Sequence, residues 1–417
     1  MTSPDHSGLH IDGSRLLLRL QELARIGSRP DGACCRLALT DEDRQGRDQV
    51  VSWMNALGMD VAIDEIGNIF GRRAGRRSDL APVMTGSHID TVRTGGAYDG
   101  NLGVLAGLEV VATLNDAALE TERDLIVAVF TNEEGARFAP DMMGSLVYVG
   151  GMPLAQALNT QAIDGALLAD ELNRIGYAGQ TPLGMYRPHA FIELHIEQGP
   201  VLDIEGERIG AVQDLQGISW QELTIEGQSN HAGTTPMRLR HDAGYAASAV
   251  VTFVRELARE MGAAQVATVG KIDLTPNLIN VIASRAVLTV DLRNTDEILL
   301  QQSEQRLADF LKELAQSEGV TIGSRRLARF EPVLFDLSVV ELIEREAKAL
   351  GLSVRRMTSG AGHDAQMLAR ICPSAMIFVP SVAGISHNPA EHTAPDDLVA
   401  GCDVLLRTLL ELSNQEA

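Results

Sequence analysis

The chain has few cysteines, few aromatic residues and a shortage of positive charge. Its four cysteines form no Cys-x-x-Cys pair, and we expect the adjacent Cys34 and Cys35 to be small buried residues rather than metal ligands. Aromatic residues make up only 4% of the 417 positions. Lys and Arg number 35 against 56 Asp and Glu, and the resulting net charge of −21 argues against nucleic acid or an anionic membrane as a partner.

Long apolar segments are also absent. No segment approaches the roughly 20 apolar residues that a membrane-spanning helix needs. Residues 1–8 lack the basic and apolar regions of a signal peptide, so we expect a cytoplasmic protein. Glycine, by contrast, is plentiful at 39 residues, which is typical of an α/β enzyme with many tight turns.

The length predicts two domains, because 417 residues exceed what one hydrophobic core usually supports. Residues 214–329 have the β-α-β-β-α-β order of a ferredoxin-like unit. Strands and helices of another domain occupy 1–213 and resume over 330–417. We therefore predict an α/β protein with an inserted α+β domain.

Four apolar segments of the first domain each lead into a polar, glycine-bearing turn, and ligands of α/β sheets bind beyond such strand ends. A single histidine there is more often structural, but three of them with two acidic residues in equivalent places predict a metal site. Imidazole and carboxylate ligands suit zinc, with manganese, cobalt and nickel as alternatives. The candidate ligands are His88, Asp99, Glu134, His195 and His387.

Neighbouring acidic residues support this interpretation. The period of two in an extended segment puts His88 and Asp90 on one side, where the Asp90 carboxylate can accept the imidazole N–H; turn capping is the alternative. Asp99 precedes a predicted helix, so N-capping is its alternative role. Glu133 and Glu134 would repel each other at a strand end unless a positive group holds them, although a solvated acidic loop would also contain them. One of the two can bind metal while the other acts as a general base.

Candidate substrate contacts lie mainly in the inserted domain. His231, among small and hydroxyl residues, could donate to a developing oxyanion or belong to a structural loop. Arg293 and Asn280 lie on predicted strand segments, and a guanidinium group suits a substrate carboxylate, although a lone arginine is usually on the surface. In the first domain, residues 360–364 could present backbone N–H groups to an anion at a helix start.

Together, nine motifs resemble those of the hydantoinase/carbamoylase family of amidases, in the clan of dinuclear-zinc aminoacylases and dipeptidases. The resemblance extends from about residue 15 to 410. It implies a zinc-exopeptidase-like catalytic domain with a mixed central sheet flanked by helices, and an inserted ferredoxin-like lid and dimerisation domain. The motifs are GSHIDTV, GGAYDGNLGV, TNEEGARF, HIEQGPVLD, NHAGTTPM, PNLINVI, DLRN, SGAGHDA and ISHNPAEHT.

The resemblance also implies roles for individual residues. Two divalent metal ions, zinc in first place, would be bridged by Asp99, and Glu133 would deprotonate the bridging water. The remaining ligands would divide into two pairs, namely His88 with His195 and Glu134 with His387. Glu391-His392 offers an alternative ligand to His387, which the family motif favours.

The substrate implied is a linear ureido or N-carbamoyl acid of the N-carbamoyl-L-amino acid, β-ureidopropionate or allantoate type. Asn280 and Arg293 would hold its carboxylate, with Gln198 and Gly362 lining the pocket. His231 would stabilise the oxyanion from the partner subunit of a homodimer formed through the inserted domain.

One segment departs from the family pattern. Residues 216–219 read Gln-Gly-Ile-Ser where some members have Gly-Gln-Arg, so a glutamine contact to the substrate is expected to be displaced or absent. A dipeptidase or N-acyl-L-amino-acid hydrolase on the same scaffold is the alternative function. A ligand-binding relative without catalysis is a third possibility, against which the presence of Glu133 argues.

Overall fold

The computed structural model describes residues 8–262 and 264–415. Residues 1–7, on which most of the signal-peptide prediction depends, lie outside this part of the chain. The chain forms two compact units, Met1–Gln213 with Phe335–Ala417, and Asp214–Leu334. Residues 330–334, which the sequence assigns to the first domain, fall within the second unit, where Val333 and Leu334 pair with Leu215 and Asp214 in an antiparallel ladder.

Helices and strands are numbered in chain order. The helices are α1 Gly13–Arg25, α2 Asp41–Ala56, α3 Asn101–Asp116, α4 Met143–Tyr148, α5 Leu154–Leu158, α6 Leu168–Ile175, α7 Val201–Glu205, α8 Ala243–Met261, α9 Glu297–Glu318, α10 Leu337–Ala349, α11 Asp364–Leu368 and α12 Pro395–Asn414. The strands are β1 Asp60–Ile63, β2 Ile69–Arg73, β3 Val83–His88, β4 Leu125–Phe130, β5 Ala190–Ile196, β6 Ile209–Leu215, β7 Gly217–Glu226, β8 Val266–Thr275, β9 Arg285–Asn294, β10 Thr321–Phe330, β11 Val333–Leu334, β12 Val354–Ser359 and β13 Ser374–Val379. Within the described residues, no helix combines the length and apolar character needed to cross a membrane.

The first unit is built on a mixed sheet. Its strand order is β1-β2-β4-β3-β5-β13-β6-β11, and β12 also pairs with β6. Strands β4, β3, β5 and β13 run parallel to one another, whereas β1, β2 and β6 join in antiparallel fashion. The predicted α/β class with a mixed central sheet flanked by helices is therefore confirmed. Because the four parallel strands share a direction, their carboxyl ends meet at one edge of the sheet.

The four parallel strands form the core of this unit. Every residue of β3, β4, β5 and β13 is buried, as their continuous apolar composition predicts for strands covered on both faces. Helix α3 is buried at each position from Asn101 to Leu114 and packs on β3 and α12. Helix α11 packs on β5 and α4. This packing fixes the strand ends from which the candidate site residues project.

The second unit has the order β7-α8-β8-β9-α9-β10, which the sequence predicts. Its four strands form an antiparallel sheet in the order β10-β7-β9-β8. In β9 the buried residues alternate with more exposed ones, so one face of the sheet is covered. Helices α8 and α9 contact each other through the stacked rings of Phe253 and Phe310, whose centroids lie 4.0 Å apart.

Candidate metal centre

The five predicted metal ligands of the first unit lie close together at the carboxyl edge of the sheet. His88 ends β3, His195 is the penultimate residue of β5, and Glu134 follows β4. Asp99 directly precedes the residue that caps α3, and His387 lies in the turn after β13. We call these five side chains the donor cluster.

Asp99 contacts both halves of the donor cluster. Its Oδ1 lies 3.1 Å from Nε2 of His195 and 3.6 Å from Nε2 of His88. Its Oδ2 lies 3.2 Å from Nε2 of His387, and that nitrogen is 3.3 Å from Oε2 of Glu134. The donor atoms of His88, Asp99 and His195 lie within 4.8 Å of one another, and so do those of Asp99, Glu134 and His387. These two groups can each hold a divalent cation, with Asp99 common to both.

The two ring nitrogens of His88 have different surroundings, and only one of them has a hydrogen-bond partner among the described residues. Nδ1 lies 2.9 Å from the carbonyl oxygen of Asp90 and donates to it, so the neutral ring has a lone pair on Nε2. That Nε2 is buried without a hydrogen-bond partner among the described residues, and it faces Oε2 of Glu133 at 3.4 Å. Burial lowers the pKa of His88 to about 4, which disfavours filling this gap with a proton. A metal ion held by this lone pair and the neighbouring carboxylates would satisfy all of them.

Three carboxylates share this buried space. Burial and the charge of Asp364 raise the pKa of Glu133 well above its usual range, and burial with the charge of Asp99 does the same for Glu134. Although burial opposes it, hydrogen bonds with His195 and His387 hold the pKa of Asp99 well below its usual range. The protein side chains around these three carboxylates thus supply too little positive charge to balance them. Divalent cations would supply the missing charge.

Asp90 does not act as the sequence predicts. Its carboxylate Oδ1 is 3.9 Å from Nδ1 of His88, and the ring is held by the Asp90 carbonyl instead. Strand β3 ends at His88, so the alternation of side chains in an extended strand no longer applies at Asp90, two residues later. The Asp90 carboxylate accepts the backbone N–H groups of Glu133 and Glu134 at 3.2 and 3.3 Å. It therefore orients the acidic turn after β4.

Nor is Asp99 an N-cap. The cap of α3 is Gly100, without a side-chain hydrogen bond, which leaves the Asp99 carboxylate turned towards the histidines. Gly100 has a left-handed φ of 66°, and a Cβ atom there would lie 2.4 Å from Cε1 of His88. Only glycine lets the chain pass this close to the imidazole.

Gln198 reaches the donor cluster through its amide. Nε2 donates to Oδ2 of Asp99 at 2.8 Å and lies 3.4 Å from Nε2 of His387. Both Gln198 and His387 have left-handed backbones, with φ of 57° and 54°. Strain of this kind in residues other than glycine costs on the order of 1–3 kcal/mol and concentrates at functional sites.

In the second unit, the structure groups two of the three predicted substrate contacts. The N–H of Ala232, next to His231, donates to the carbonyl of Asn280 at 2.9 Å. Asn280 lies in the loop before β9 rather than on a strand, because the ladder with β7 begins only at Arg285. Arg293, on β9, binds the carboxylate of Asp291 through Nε at 3.1 Å and a terminal nitrogen at 2.9 Å.

Most of the chain matches a known family. Residues 84–411 match the family described as Peptidase family M20/M25/M40. The chain belongs to that family. Over 401 residues it is 40% identical to the N-carbamoyl-L-amino-acid amidohydrolase of Rhizobium meliloti, with 96% of each chain covered.

Two further relatives show which members of the M20 family this chain is similar to. The allantoate amidohydrolase of Escherichia coli (strain K12) is 37% identical over 402 residues, covering 94% of this chain and 96% of that one. A hydantoinase/carbamoylase family amidase from Burkholderia multivorans has a TM-score of 0.95 at 45% identity, covering 98% of this chain and all of the other. The predicted resemblance to these amidases, and with it the prediction of a hydrolase, is confirmed.

Glu391 and Ser386 also contact the donor cluster of this M20-family chain, although the sequence predicts Glu391 only as an alternative ligand and Ser386 is not among the predicted residues. Glu391 accepts the N–H groups of Tyr98 and Asp99 at 3.0 and 3.2 Å. Ser386 Oγ lies 3.2 Å from Oδ2 of Asp99 and 3.0 Å from Oε2 of Glu391. His392 lies edge-on near Tyr98, whereas the imidazole of His387 contacts the carboxylate of Asp99 at 3.2 Å. The motif ISHNPAEHT, which contains Ser386 and Glu391, was the available signal.

Directly after residues 360–364, one backbone N–H at the helix start is bonded within the protein. Helix α11 has only five residues, and the N–H of Ala365 donates to Oε2 of Glu193 at 2.8 Å. The other oxygen of Glu193 accepts from Ser87 Oγ at 2.6 Å. Gly362 lies against Met142, whose Cε would be 2.8 Å from an added Cβ. The carboxylate of Glu193 thus accepts the N–H of Ala365 at the start of α11, where the sequence predicted that a ligand anion could bind.

Proposed function

We propose that this M20-family chain hydrolyses a C–N bond of a linear ureido or N-carbamoyl acid at a dinuclear metal centre held by the donor cluster. The observation that carries the proposal is the carboxylate of Asp99, which directs one oxygen towards His88 and His195 and the other towards His387. A cytoplasmic location, expected from the sequence, is part of the same proposal.

The donor set suits two divalent ions, zinc in first place, with manganese, cobalt or nickel as alternatives. When bound, such ions supply the charge that makes water a nucleophile near neutral pH and stabilises oxygen in the transition state. His88 and His195 would hold one ion with Asp99, and Glu134 and His387 the other. Burial of most of these side chains excludes bulk water and strengthens each charge interaction.

Glu133 is the proposed general base. Its Oε2 lies 3.4 Å from Nε2 of His88, beside the donor cluster, and its side chain is nearly buried. The N–H of Glu133 is held by Asp90, so the carboxylate has a fixed position. Because burial and the charge of Asp364 raise its pKa, Glu133 can take a proton from water and return it to the departing nitrogen.

The second unit is proposed to recognise the substrate. Arg293 already holds a carboxylate, that of Asp291, through two nitrogens, which supports a clamp for a substrate carboxylate. We propose that Asn280 assists this contact and that His231 stabilises the oxyanion, from the partner subunit of a homodimer formed through this unit. Gln198 and Gly362 would line the pocket in the first unit.

The names of two relatives, and one segment that departs from the family's sequence pattern, support the proposed substrate class. The two curated relatives above are named for N-carbamoyl-L-amino acids and for allantoate, which are both linear ureido acids. Ile218 and Ser219, in the segment 216–219 that departs from the Gly-Gln-Arg of some family members, are almost fully buried. We therefore propose that the substrate lacks the glutamine contact of those members.

Ammonia release from N-carbamoyl amino acids, β-ureidopropionate and allantoate, measured with several divalent metals and after chelation, tests the proposal. We expect turnover to disappear on chelation and to return with zinc or manganese. Glu133→Ala should lower kcat by about 10²–10⁴-fold while metal content stays at the wild-type level. Glu226→Ala, an exposed change on β7 of the second unit, is the matched control and should leave kcat unchanged.

Turnover that survives both exhaustive metal removal and Glu133→Ala would contradict the mechanism. Cleavage of dipeptides or N-acyl amino acids, without turnover of any ureido acid, would instead support the alternative function on the same scaffold.

A further inference from the structure

Arg36 is a fully buried cation in a segment without helix or strand. In the contacts that the structure describes, its guanidinium group donates to the sulfur atom of Cys34 at 3.6 Å and to four neutral oxygens. These are the carbonyls of Leu23 at 3.0 Å, Ile26 at 2.7 Å and Ile89 at 2.7 Å, and the side-chain oxygen of Asn101 at 2.7 Å. Burying a cation costs several kcal/mol unless its hydrogen bonds are satisfied, so this arrangement depends on all four acceptors.

Two of the acceptors belong to the segments that carry metal ligands. Ile89 directly follows His88, and Asn101 lies two residues after Asp99. The main chain of Arg36 strengthens the first link, because its N–H donates to Thr91 Oγ1 at 2.8 Å and its carbonyl accepts the Thr91 N–H at 2.9 Å. One residue is therefore bonded to the chain on both sides of Asp90.

Asn101 extends the second link to the turn that carries Asp99. Its Nδ2 donates to the carbonyl of Ala97 at 3.2 Å, and its N–H donates to the carbonyl of Asp99 at 2.7 Å. Any shift of the Asn101 side chain is thus transmitted to the backbone of Asp99. The guanidinium group of Arg36 lies between this turn and the end of β3.

The other two acceptors anchor the guanidinium group. Leu23 and Ile26 lie at the carboxyl end of α1, where carbonyls have no partner within the helix and where positive charge is favoured. Gly46 of α2 leaves room for the side chain, since a Cβ atom there would lie 2.9 Å from Cδ of Arg36. The anchor is therefore a packed helix end rather than a mobile loop.

We propose that Arg36 is a positioning residue for the metal centre, which sets the separation of His88 and Asp99 by fastening both segments to the end of α1. The inference rests on the proposed function, in that it takes these two residues as ligands of one metal ion. It predicts that metal affinity, and not only folding, depends on the planar fork of Arg36.

Arg36→Lys keeps the charge but loses the fork. The single ammonium group of lysine cannot point donors at the end of α1, Ile89 and Asn101 together, whereas the guanidinium group has five donors in fixed directions. Loss of groups that orient metal ligands typically weakens metal binding 10–100-fold. We expect a weakening of this size in Arg36→Lys, largest for the zinc ion that His88 would hold. Asn101→Ala cuts only the link to the Asp99 turn and should weaken the binding of both ions about 10-fold, because Asp99 is common to the two donor groups.

Arg123→Lys is the matched control. Arg123 is also buried and donates to a carbonyl, that of Ala81 at 3.0 Å, but it precedes β4 and lies at the opposite end of the strands. Zinc affinities of the full-length variants are measured by competition with a chromophoric chelator. Melting temperatures of the metal-free forms, and visible spectra of the cobalt-loaded forms, are recorded alongside.

The proposal requires Arg36→Lys and Asn101→Ala to bind zinc more weakly while Arg123→Lys binds two ions as the wild type does, even where the three melting temperatures fall equally. Wild-type affinities in both site variants, or a parallel loss in the control, would overturn it. If Arg36→Lys does not fold, Asn101→Ala decides alone. A wild-type chain that binds no divalent metal would overturn the proposed function as well, which distinguishes the two failures.

Discussion

The two units differ in how their strands are covered. All seven residues of β5 in the first unit are buried, whereas each residue of β8 in the second unit is at least partly exposed. Helices pack on both sides of the parallel strands, while the second unit covers one face of its sheet. Charged groups of the first unit therefore need specific partners, and those of the second unit are largely solvated by water.

This contrast explains where the metal donors lie. Carboxylates that crowd together in water repel each other only weakly, but buried carboxylates create a demand for positive charge. The donor cluster meets that condition at the buried carboxyl ends of β3, β4 and β5. The exposed acidic residues of the second unit are instead paired with surface arginines, such as Glu226 with Arg285 at 3.0 Å.

The largest expected effect is a loss of core packing. Ile126 of β4 is fully buried, and Ile126→Ala should cost about 2–5 kcal/mol of unfolding free energy. Ile272 of β8 is 46% exposed, and Ile272→Ala should cost about 0.5 kcal/mol. Each unit has one of the two tryptophans, Trp53 in α2 and Trp220 in β7, so urea titrations of single-tryptophan proteins follow the units separately. Equal losses would remove the contrast.

A smaller effect is expected for ion pairs. Glu109 is fully buried and binds Arg15 at 2.8 Å and Arg19 at 3.3 Å. Glu109→Gln should cost about 3 kcal/mol, because a neutral amide replaces the buried carboxylate that accepts charge-assisted hydrogen bonds from Arg15 and Arg19, although Arg15 keeps its contact with Asp116 at 2.7 Å. Glu226→Gln breaks an exposed pair and should cost about 0–1 kcal/mol, less still in 1 M salt. Thermal melts at two salt concentrations measure both, and a salt-sensitive loss in Glu109→Gln would contradict the assigned burial.

The smallest effect concerns pH. Burial raises the pKa of Asp64, in the turn before β2, from 3.8 to about 6. The folded state then binds more protons than the unfolded state, so stability from this group is greatest below pH 4 and falls by about 2 kcal/mol as pH rises to 6. Urea titrations between these pH values should therefore show a shallower decline in Asp64→Asn than in the wild type. Asp273→Asn on exposed β8 is the control, and a slope unchanged in Asp64→Asn would refute the assignment.

Much of the site was predictable because its chemistry follows secondary structure. Buried parallel strands leave a clear apolar pattern, and polar residues at their ends converge on one edge of a sheet. His88, Glu134 and His195 could be assigned in this way. Asp99 and His387 were predicted from the same strand-end pattern, although both lie in irregular turns. The ferredoxin-like order of the second unit also followed from its alternating patterns.

The remainder depends on contacts between distant segments. No local pattern reveals that β13 pairs with β5, which brings His387 towards His195. The Asp90 prediction was wrong because it extended strand geometry past the last residue of β3. Arg36 lies in an irregular segment, and only the folded structure identifies Ile89 and Asn101 as its partners.

The junction between the units has a practical consequence. The chain leaves the first unit after Gln213 and returns at Phe335, and these two residues are joined by a hydrogen bond of 3.0 Å. Leu215 and Val333 continue the same antiparallel ladder. A two-residue turn inserted between Leu215 and Val333 would close a β-hairpin with natural strand spacing. The insertion can thus be excised at the gene level, leaving a shortened polypeptide whose sheet remains continuous.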